Sequence, residues 1–162
     1  MALLDLQSER LRAVPVARLS PQDREALFEP EVVAYLPEGF QGLETDAARC
    51  ALLDEVQQEA EVVVLETRGG DAIGLLILSH GAAGDRLRHL GYLFVRAAWG
   101  QGYASEMLRA LQDLYGSQPV VLSGGVMADN AASARVLQKC GFVPGEASEA
   151  GELTYIWDAQ RG

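Results

Sequence analysis

The stretch of this sequence best suited to chemistry is Trp99-Gly100-Gln101-Gly102-Tyr103-Ala104. It follows an apolar run, Leu90 to Val95, and opens a segment whose apolar residues Ala104, Met107, Leu108, Leu111, Leu114 and Tyr115 fall on one helical face. A strand, a glycine-bearing turn and an amphipathic helix, in that order, build an anion site. The first N–H groups of a helix have no internal partner and carry partial positive charge. Glycines let a diphosphate come close to them. A dinucleotide fingerprint fits poorly, because Ser105 holds its third glycine position and the motif lies in the second half of the chain. A nucleotide P-loop fits no better, since no Lys-Ser/Thr pair follows the glycines.

Other reactive side chains are sparse. Cys50 and Cys140 have neither metal-ligand nor CxxC spacing and read as two buried free thiols. His80 and His89 are too isolated for a metal cluster, so no metal is expected. The 162 residues, 49% hydrophobic and 22% charged, suit one compact domain, 1–162, with a real core. The formal net charge of −10 would repel nucleic acid and attract a cation. No apolar run is long enough to span a bilayer, and the early acid Asp5 without a basic region argues against a secretory signal. The expectation is a cytoplasmic protein with no nucleic-acid or membrane partner. Monomer and homodimer both remain open.

Glu9–Val16 reads as a first strand. Ser20-Pro21 starts a helix, Glu31–Tyr35 a short turn ended by Pro37, and Thr45-Asp46 a second helix with Ala48, Leu52, Val56 and Ala60 inward. Glu61–Thr67 and Ala72–Ser79 form a hairpin across Arg68-Gly69-Gly70-Asp71. Gly81–Asp85 is a loop, Leu87–Val95 the strand before the glycine turn, and Val120–Val126 the strand after its helix. Ala131–Lys139 is a last helix stopped by Gly141, and Phe142-Val143 and Leu153–Trp157 are closing strands. Gly124-Gly125 suggests a bulge or a backbone gap. The order predicts an α/β (α+β) domain with a mixed sheet.

A second motif narrows the choice of phosphate site: Val126-Met127-Ala128-Asp129-Asn130-Ala131-Ala132-Ser133, running on through Leu137-Gln138-Lys139-Cys140-Gly141-Phe142. With it the chain resembles the GNAT superfamily of N-acetyltransferases. Gly102-Tyr103-Ala104 matches the end of that family's pyrophosphate loop. Gly91-Tyr92-Leu93, Trp99 to Glu106, Ser8 to Arg12 and Pro30 to Leu36 look like the branch of ribosomal-protein N-terminal acetyltransferases. The resemblance covers nearly the whole chain. It implies a mostly antiparallel sheet with splayed central strands and flanking helices, acetyl-coenzyme A as co-substrate, and direct acetyl transfer to a primary amine. The amine would belong to a protein N-terminus or a small molecule.

The resemblance implies cofactor contacts from Trp99, Gly100, Gln101, Gly102, Tyr103 and Ala104, and from a backbone N–H near Phe94 or Val95 toward the thioester oxygen; Asn130 reads as a partner of the pantetheine amides or simply as a helix cap. Trp99 stands where the loop usually begins with arginine or glutamine. Leu137 stands where many members place a tyrosine acid, and His89 where relatives often carry a glutamate base. Ser133, at a helix start, is the candidate donor to the departing thiolate. His89 shares a strand face with residues 91, 93 and 95. It reads either as the base that deprotonates the amine or as a polar residue on a half-exposed strand. Glu106 reads as holding the amine or complementing the helix start; Tyr92 and Tyr103 read as packing. Acceptor choice falls to Glu38–Leu43, the first two helices and Glu146–Gly151, with Glu38, Glu44, Asp46, Glu146, Glu149 and Glu152 suited to a cation or simply solvated. Two competing readings are a non-catalytic acyl-coenzyme A-binding domain and a structural homo-oligomer.

Overall fold

A seven-stranded sheet organises the molecule, seen in a computed structural model that describes residues 2–81, 84–127, 129–147 and 152–160. The strands are β1 (Leu11–Val14), β2 (Ala60–Thr67), β3 (Ala72–Ser79), β4 (Leu87–Phe94), β5 (Val121–Met127), β6 (Val143–Ala147) and β7 (Glu152–Asp158). The helices are α1 (Pro21–Leu27), α2 (Asp46–Glu59), α3 (Tyr103–Tyr115) and α4 (Ala131–Lys139). The order across the sheet is β1-β2-β3-β4-β5-β7-β6. Only β4 and β5 run parallel; every other neighbouring pair is antiparallel.

Alternation along the strands gives each face its own core. Val63, Leu65, Leu76, Leu78, Leu90 and Phe94 join Met107, Leu108 and Leu111 of α3 and Leu137 of α4 on one face. Val62, Val64, Leu75 and Leu93 meet Leu27, Phe28, Phe40 and Leu53 on the other, beneath α1 and α2. Burial of so many aliphatic side chains, each contributing on the order of 1.5–3 kcal/mol, holds the layers together. Between the covering helices of this second face, Arg24 grips Asp46 at both carboxylate oxygens, 2.7 and 2.9 Å.

The strand and helix expectations hold with local changes. β1 is shorter than Glu9–Val16: Pro15 has no N–H for the ladder, and Val16–Arg18 turn into one 3-10 turn. α2 ends at Glu59, so Ala60 begins β2, and Leu53 is its buried residue. Ser20 caps α1 in a reciprocal box with Asp23, and Thr45 caps α2. Residues 82 and 83 of the Gly81–Asp85 loop lie outside the described residues. Cys140 is buried as expected, whereas Cys50 is only half-buried, one turn before Leu53 on α2 with its Sγ 3.9 Å from Asp46 Oδ2.

Gly124-Gly125 marks a gap and not a bulge. β5 stays in register with β7 from Val121 to Met127. Its pairing with β4 runs from Leu87↔Val121 only to Leu90↔Gly124. β4 continues to Phe94 paired with β3 alone. The central strands therefore part after Leu90 and Gly124, leaving a V-shaped opening between them.

Candidate functional site

Two helix mouths and the strand opening converge in this fold. The first mouth is the turn from β4 into α3. Val95 leaves the strand, Arg96–Ala98 make a 3-10 turn, and Gly100 and Gly102 follow at φ +74° and +80°. Any residue with a Cβ is strained in that left-handed region, so the loop needs glycine at both points. Gly102 precedes α3 with no side chain capping it. Its carbonyl receives the Glu106 N–H at 3.1 Å, which leaves the N–H groups of Tyr103, Ala104 and Ser105 without a helical partner.

The loop is fastened around that open end. Trp99 Nε1 donates to the Phe94 carbonyl at 2.8 Å, and Gln101 Nε2 donates to the Ala97 carbonyl at 2.7 Å. The Trp99 side chain is otherwise 49% exposed. Tyr103 stacks on Phe94 with ring centroids 6.3 Å apart, and the Arg10 guanidinium lies 4.2 Å above the Tyr103 ring. Glu106 accepts from Ser8 Oγ (2.5 Å), Arg10 N (2.8 Å) and Arg10 Nε (2.6 Å). Burial pulls the Glu106 carboxyl upward, but these donors outweigh it and hold the group below its ordinary range. Glu106 thus ties the N-terminal segment to α3. Arg10, Arg109 and Lys139 share an open groove of about 490 Å³ beside Gly102 and Glu106.

The second mouth is the start of α4. Here the chain satisfies itself: Asn130 Oδ1 accepts the Ser133 N–H at 3.3 Å, and Asn130 N–H donates to the Met127 carbonyl at 2.9 Å. Ala128 of this motif lies outside the described residues. The cap fixes the backbone of the first turn, and with it the position of Ser133. Burial pushes the Tyr92 phenol up to about 12. Four residues on, Leu137 is buried, and a Cβ at Gly124 would stand 3.4 Å from it.

Between the mouths, the backbone of β4 supplies donors to the opening. Val95 N–H is committed to the Ile73 carbonyl at 2.9 Å. By strand alternation, Leu93 and Gly91 turn their amides the same way, toward β3, while Phe94 and Tyr92 turn theirs toward β5. β5 has moved away at that level. Of the two expected donors, Phe94 N–H therefore faces the gap and Val95 N–H does not.

His89 stands apart from this group. It lies within the closed part of the β4–β5 ladder, opposite Ser123, on the α1/α2 face, and its side chain is exposed. Gly91 follows on that face, where a Cβ would meet only Ile77, at 3.9 Å. Asp46, expected among the acids of an acceptor surface, is instead held below its ordinary range by the Arg24 guanidinium. Glu38 and Glu44 are exposed; residues 148–151 of the Glu146–Gly151 stretch, including Glu149, lie outside the described residues, and nothing is described of the Glu146 side chain. Burial also pushes the Cys140 thiol up, and its Sγ rests 3.8 Å from the Ser105 carbonyl, joining α4 to α3. Among the described residues, no three His, Cys, Asp or Glu side chains stand together as a metal site.

The structure thus places Phe94 and the Trp99–Ala104 loop at one end of the β4–β5 opening and Asn130 and Ser133 at the start of α4, which follows β5, and leaves His89 across the sheet. Tyr92 packs against the core as expected, edge-on to Phe94. Arg10 is the residue sequence reasoning missed, because its partners Tyr103 and Glu106 lie on α3, far along the chain.

The comparisons bear on the whole assembly. A family model described as "Acetyltransferase (GNAT) domain" matches residues 14–143. A search of the curated proteins finds no significant match. Among solved structures, an acetyltransferase (GNAT family) from Bacillus anthracis superposes with a TM-score of 0.75 at 20% identity, covering 96% of this chain and 98% of its own. An acetyltransferase from Agrobacterium tumefaciens gives 0.68 at 24%, covering 94% and 92%. Spermidine N-acetyltransferase from Vibrio cholerae, solved with CoA and spermine, gives 0.73 at 15%, covering 93% and 95%. At these identities the superpositions speak for the fold.

Proposed function

Because the chain belongs to the GNAT acetyltransferase family, we propose that residues 1–162 act as one cytoplasmic transferase domain, moving an acetyl group from acetyl-coenzyme A to a primary amine. The observation that carries this reading is the uncapped mouth of α3 opening beside the gap between β4 and β5. The residues present fit the coenzyme. Three unpaired amides at positive helix potential suit a diphosphate, and Gly102 adds no bulk against it. Parted strands with free backbone groups suit a peptide-like pantetheine arm. Bound acetyl-coenzyme A would supply an acetyl thioester.

Each residue then has one task. Trp99, Gly100, Gln101, Gly102, Tyr103 and Ala104 hold the diphosphate. The Asn130 amide, whose oxygen already caps α4, turns its NH₂ to the pantetheine. Phe94 N–H, aimed into the gap, donates to the thioester oxygen as charge builds there. The amine must shed a proton to expose its lone pair. His89 takes that proton from the α1/α2 face, where the gap left at Gly91 admits the nitrogen. The nitrogen–carbon bond would form and the carbon–sulphur bond break with its electron pair on sulphur; the second proton that the nitrogen loses on becoming an amide goes to the departing thiolate, to which Ser133 donates a hydrogen bond.

The acceptor is a protein N-terminus, as in the ribosomal-protein branch, or a small amine, as the spermidine enzyme's name records. The net charge of −10 and the exposed Glu38 and Glu44 favour a cation. The test is thiol release from acetyl-coenzyme A with spermidine, kanamycin and alanine- or serine-initiated peptides. Turnover with one of them is expected. Coenzyme binding without turnover on any amine would leave the non-catalytic reading, and no binding at all would remove the coenzyme from the account.

A further inference from the structure

Trp99 stands at the head of the glycine loop, and its backbone belongs to that loop, yet its side chain turns back onto β4. The indole Nε1 donates to the Phe94 carbonyl at 2.8 Å. In an antiparallel ladder the N–H and C=O of one residue point the same way. Phe94 therefore turns both groups to the side that β5 has left, since β4 pairs with β5 only as far as Leu90↔Gly124. A bare carbonyl there would repel an oxygen that gains negative charge beside it. The indole N–H occupies that carbonyl. The rest of Phe94 is held as firmly. Its ring lies against Gly74, where a Cβ would stand 2.8 Å from Phe94 Cδ1, and packs with Tyr92 and Tyr103, each at a centroid distance of 6.3 Å. On its flanks, Leu93 pairs with Leu75 and Val95 N–H donates to the Ile73 carbonyl at 2.9 Å. That leaves the Phe94 N–H as the polar group this residue offers to the gap.

We propose, resting on the acyl-transfer reading above and deepening it, that Trp99 is a positioning residue: its indole N–H ties off the Phe94 carbonyl and holds the Phe94 N–H where the thioester oxygen gains charge. A preorganised donor stabilises a transition state because it does not reorient as charge builds. Beyond Leu90, β4 keeps a partner on its β3 side only. The indole replaces the missing partner at the one carbonyl next to the donor. About half of the Trp99 side chain is exposed, so it gains less from burial than a tryptophan commonly does, and service to the backbone accounts for its place. An indole has one donor and no charge. Where the resembling loops begin with arginine or glutamine, this chain spends that single donor on its own strand. Trp99 moves no proton and touches no substrate through this bond.

The test replaces Trp99 by 3-benzothienylalanine, an isostere in which sulphur stands for the indole N–H, so that shape is kept and the donor is lost. Trp99→Phe accompanies it. Thiol release from acetyl-coenzyme A is assayed with spermidine, kanamycin and an alanine-initiated peptide in parallel, and coenzyme A affinity by calorimetry. The isostere is expected to lower kcat by about tenfold, less than the roughly 100- to 1,000-fold that follows loss of an oxyanion donor itself. Coenzyme A affinity is expected to stay within about twofold, because the diphosphate is gripped at α3 and the donor acts only as charge develops. Trp99→Phe is expected to lose at least as much rate. A full rate in the isostere would overturn the inference while leaving acyl transfer intact. So would weakened coenzyme A binding at an unchanged kcat, which would give the indole to the coenzyme. A wild type that releases no thiol with any acceptor would overturn both. Should neither variant fold, hydrogen exchange of the wild-type indoles decides. The Trp99 indole N–H is expected to exchange at least about tenfold more slowly than a free indole, and exchange at the free rate would reject the bond.

Discussion

The two helix mouths of this molecule are finished in opposite ways. α3 begins after a left-handed glycine, with no side chain over its first amides. α4 begins after Asn130, whose oxygen takes up an amide of its own first turn. A helix start left open next to charged fastenings is a binding feature, because the missing partner must come from outside. A helix start closed by its own residue is a positioning feature, because closure fixes where the next side chains go. Under the proposed function, α3 would hold the anion and α4 would aim Ser133.

The harshest way to break this contrast is to close the open mouth. Gly102→Glu puts a carboxylate at φ +80° against the three free amides. Calorimetric titration should show coenzyme A affinity reduced by at least about 100-fold, from charge repulsion and lost approach together. Unchanged affinity would mean that the diphosphate binds elsewhere.

His89→Ala tests the residue that sits at neither mouth. The expectation is a kcat lowered by about 100-fold, the low end for a general base, with coenzyme A affinity unaltered. A rate equal to wild type would reduce His89 to a polar strand residue.

Glu106→Gln loosens the fastening of the open mouth to the N-terminal segment. Removing a charge-assisted acceptor of three hydrogen bonds should cost about 1–3 kcal/mol near neutral pH. The carboxyl titrates lower in the folded chain than in the unfolded one. Its contribution is therefore full above the unfolded pKa, near 4.3, and disappears as pH falls through the folded value. Denaturant melts of both proteins should differ most above that pH and draw together as pH falls through the lower, folded value; a gap that stays constant over this range would point to packing in place of charge.

The mildest change opens the closed mouth. Asn130→Ala should cost about 1 kcal/mol of helix capping, or ~2–4 °C in Tm for a chain of this size. It should also depress kcat more than coenzyme A affinity, since Ser133 loses its anchor. A variant that lost affinity without losing rate would reverse the roles given to the two helices.

How much of this was legible beforehand follows the range of the interactions. Glycine punctuation and helical periodicity are local, so the α3 mouth, the hairpin of β2 and β3 and the stop of α4 at Gly141 could be read directly. The strand gap was half-legible: Gly124-Gly125 signals a weak point, but only the resemblance tells a gap from a bulge. The grip of Glu106 on Ser8 and Arg10 spans 96 to 98 residues of sequence, and no window contains both ends. Asp46 looked like a free acid for the same reason, with its partner Arg24 on a different helix. In α2, small residues around the helix blur the stripe, and tertiary packing chooses Leu53.

The central claim is that the free amides of α3 take the diphosphate of the coenzyme. A titration of the ¹⁵N-labelled protein with coenzyme A reads those amides one by one. The largest shifts should fall on Gly102, Tyr103, Ala104 and Ser105, with saturation at one equivalent. Saturable binding that leaves these four resonances in place would contradict the account.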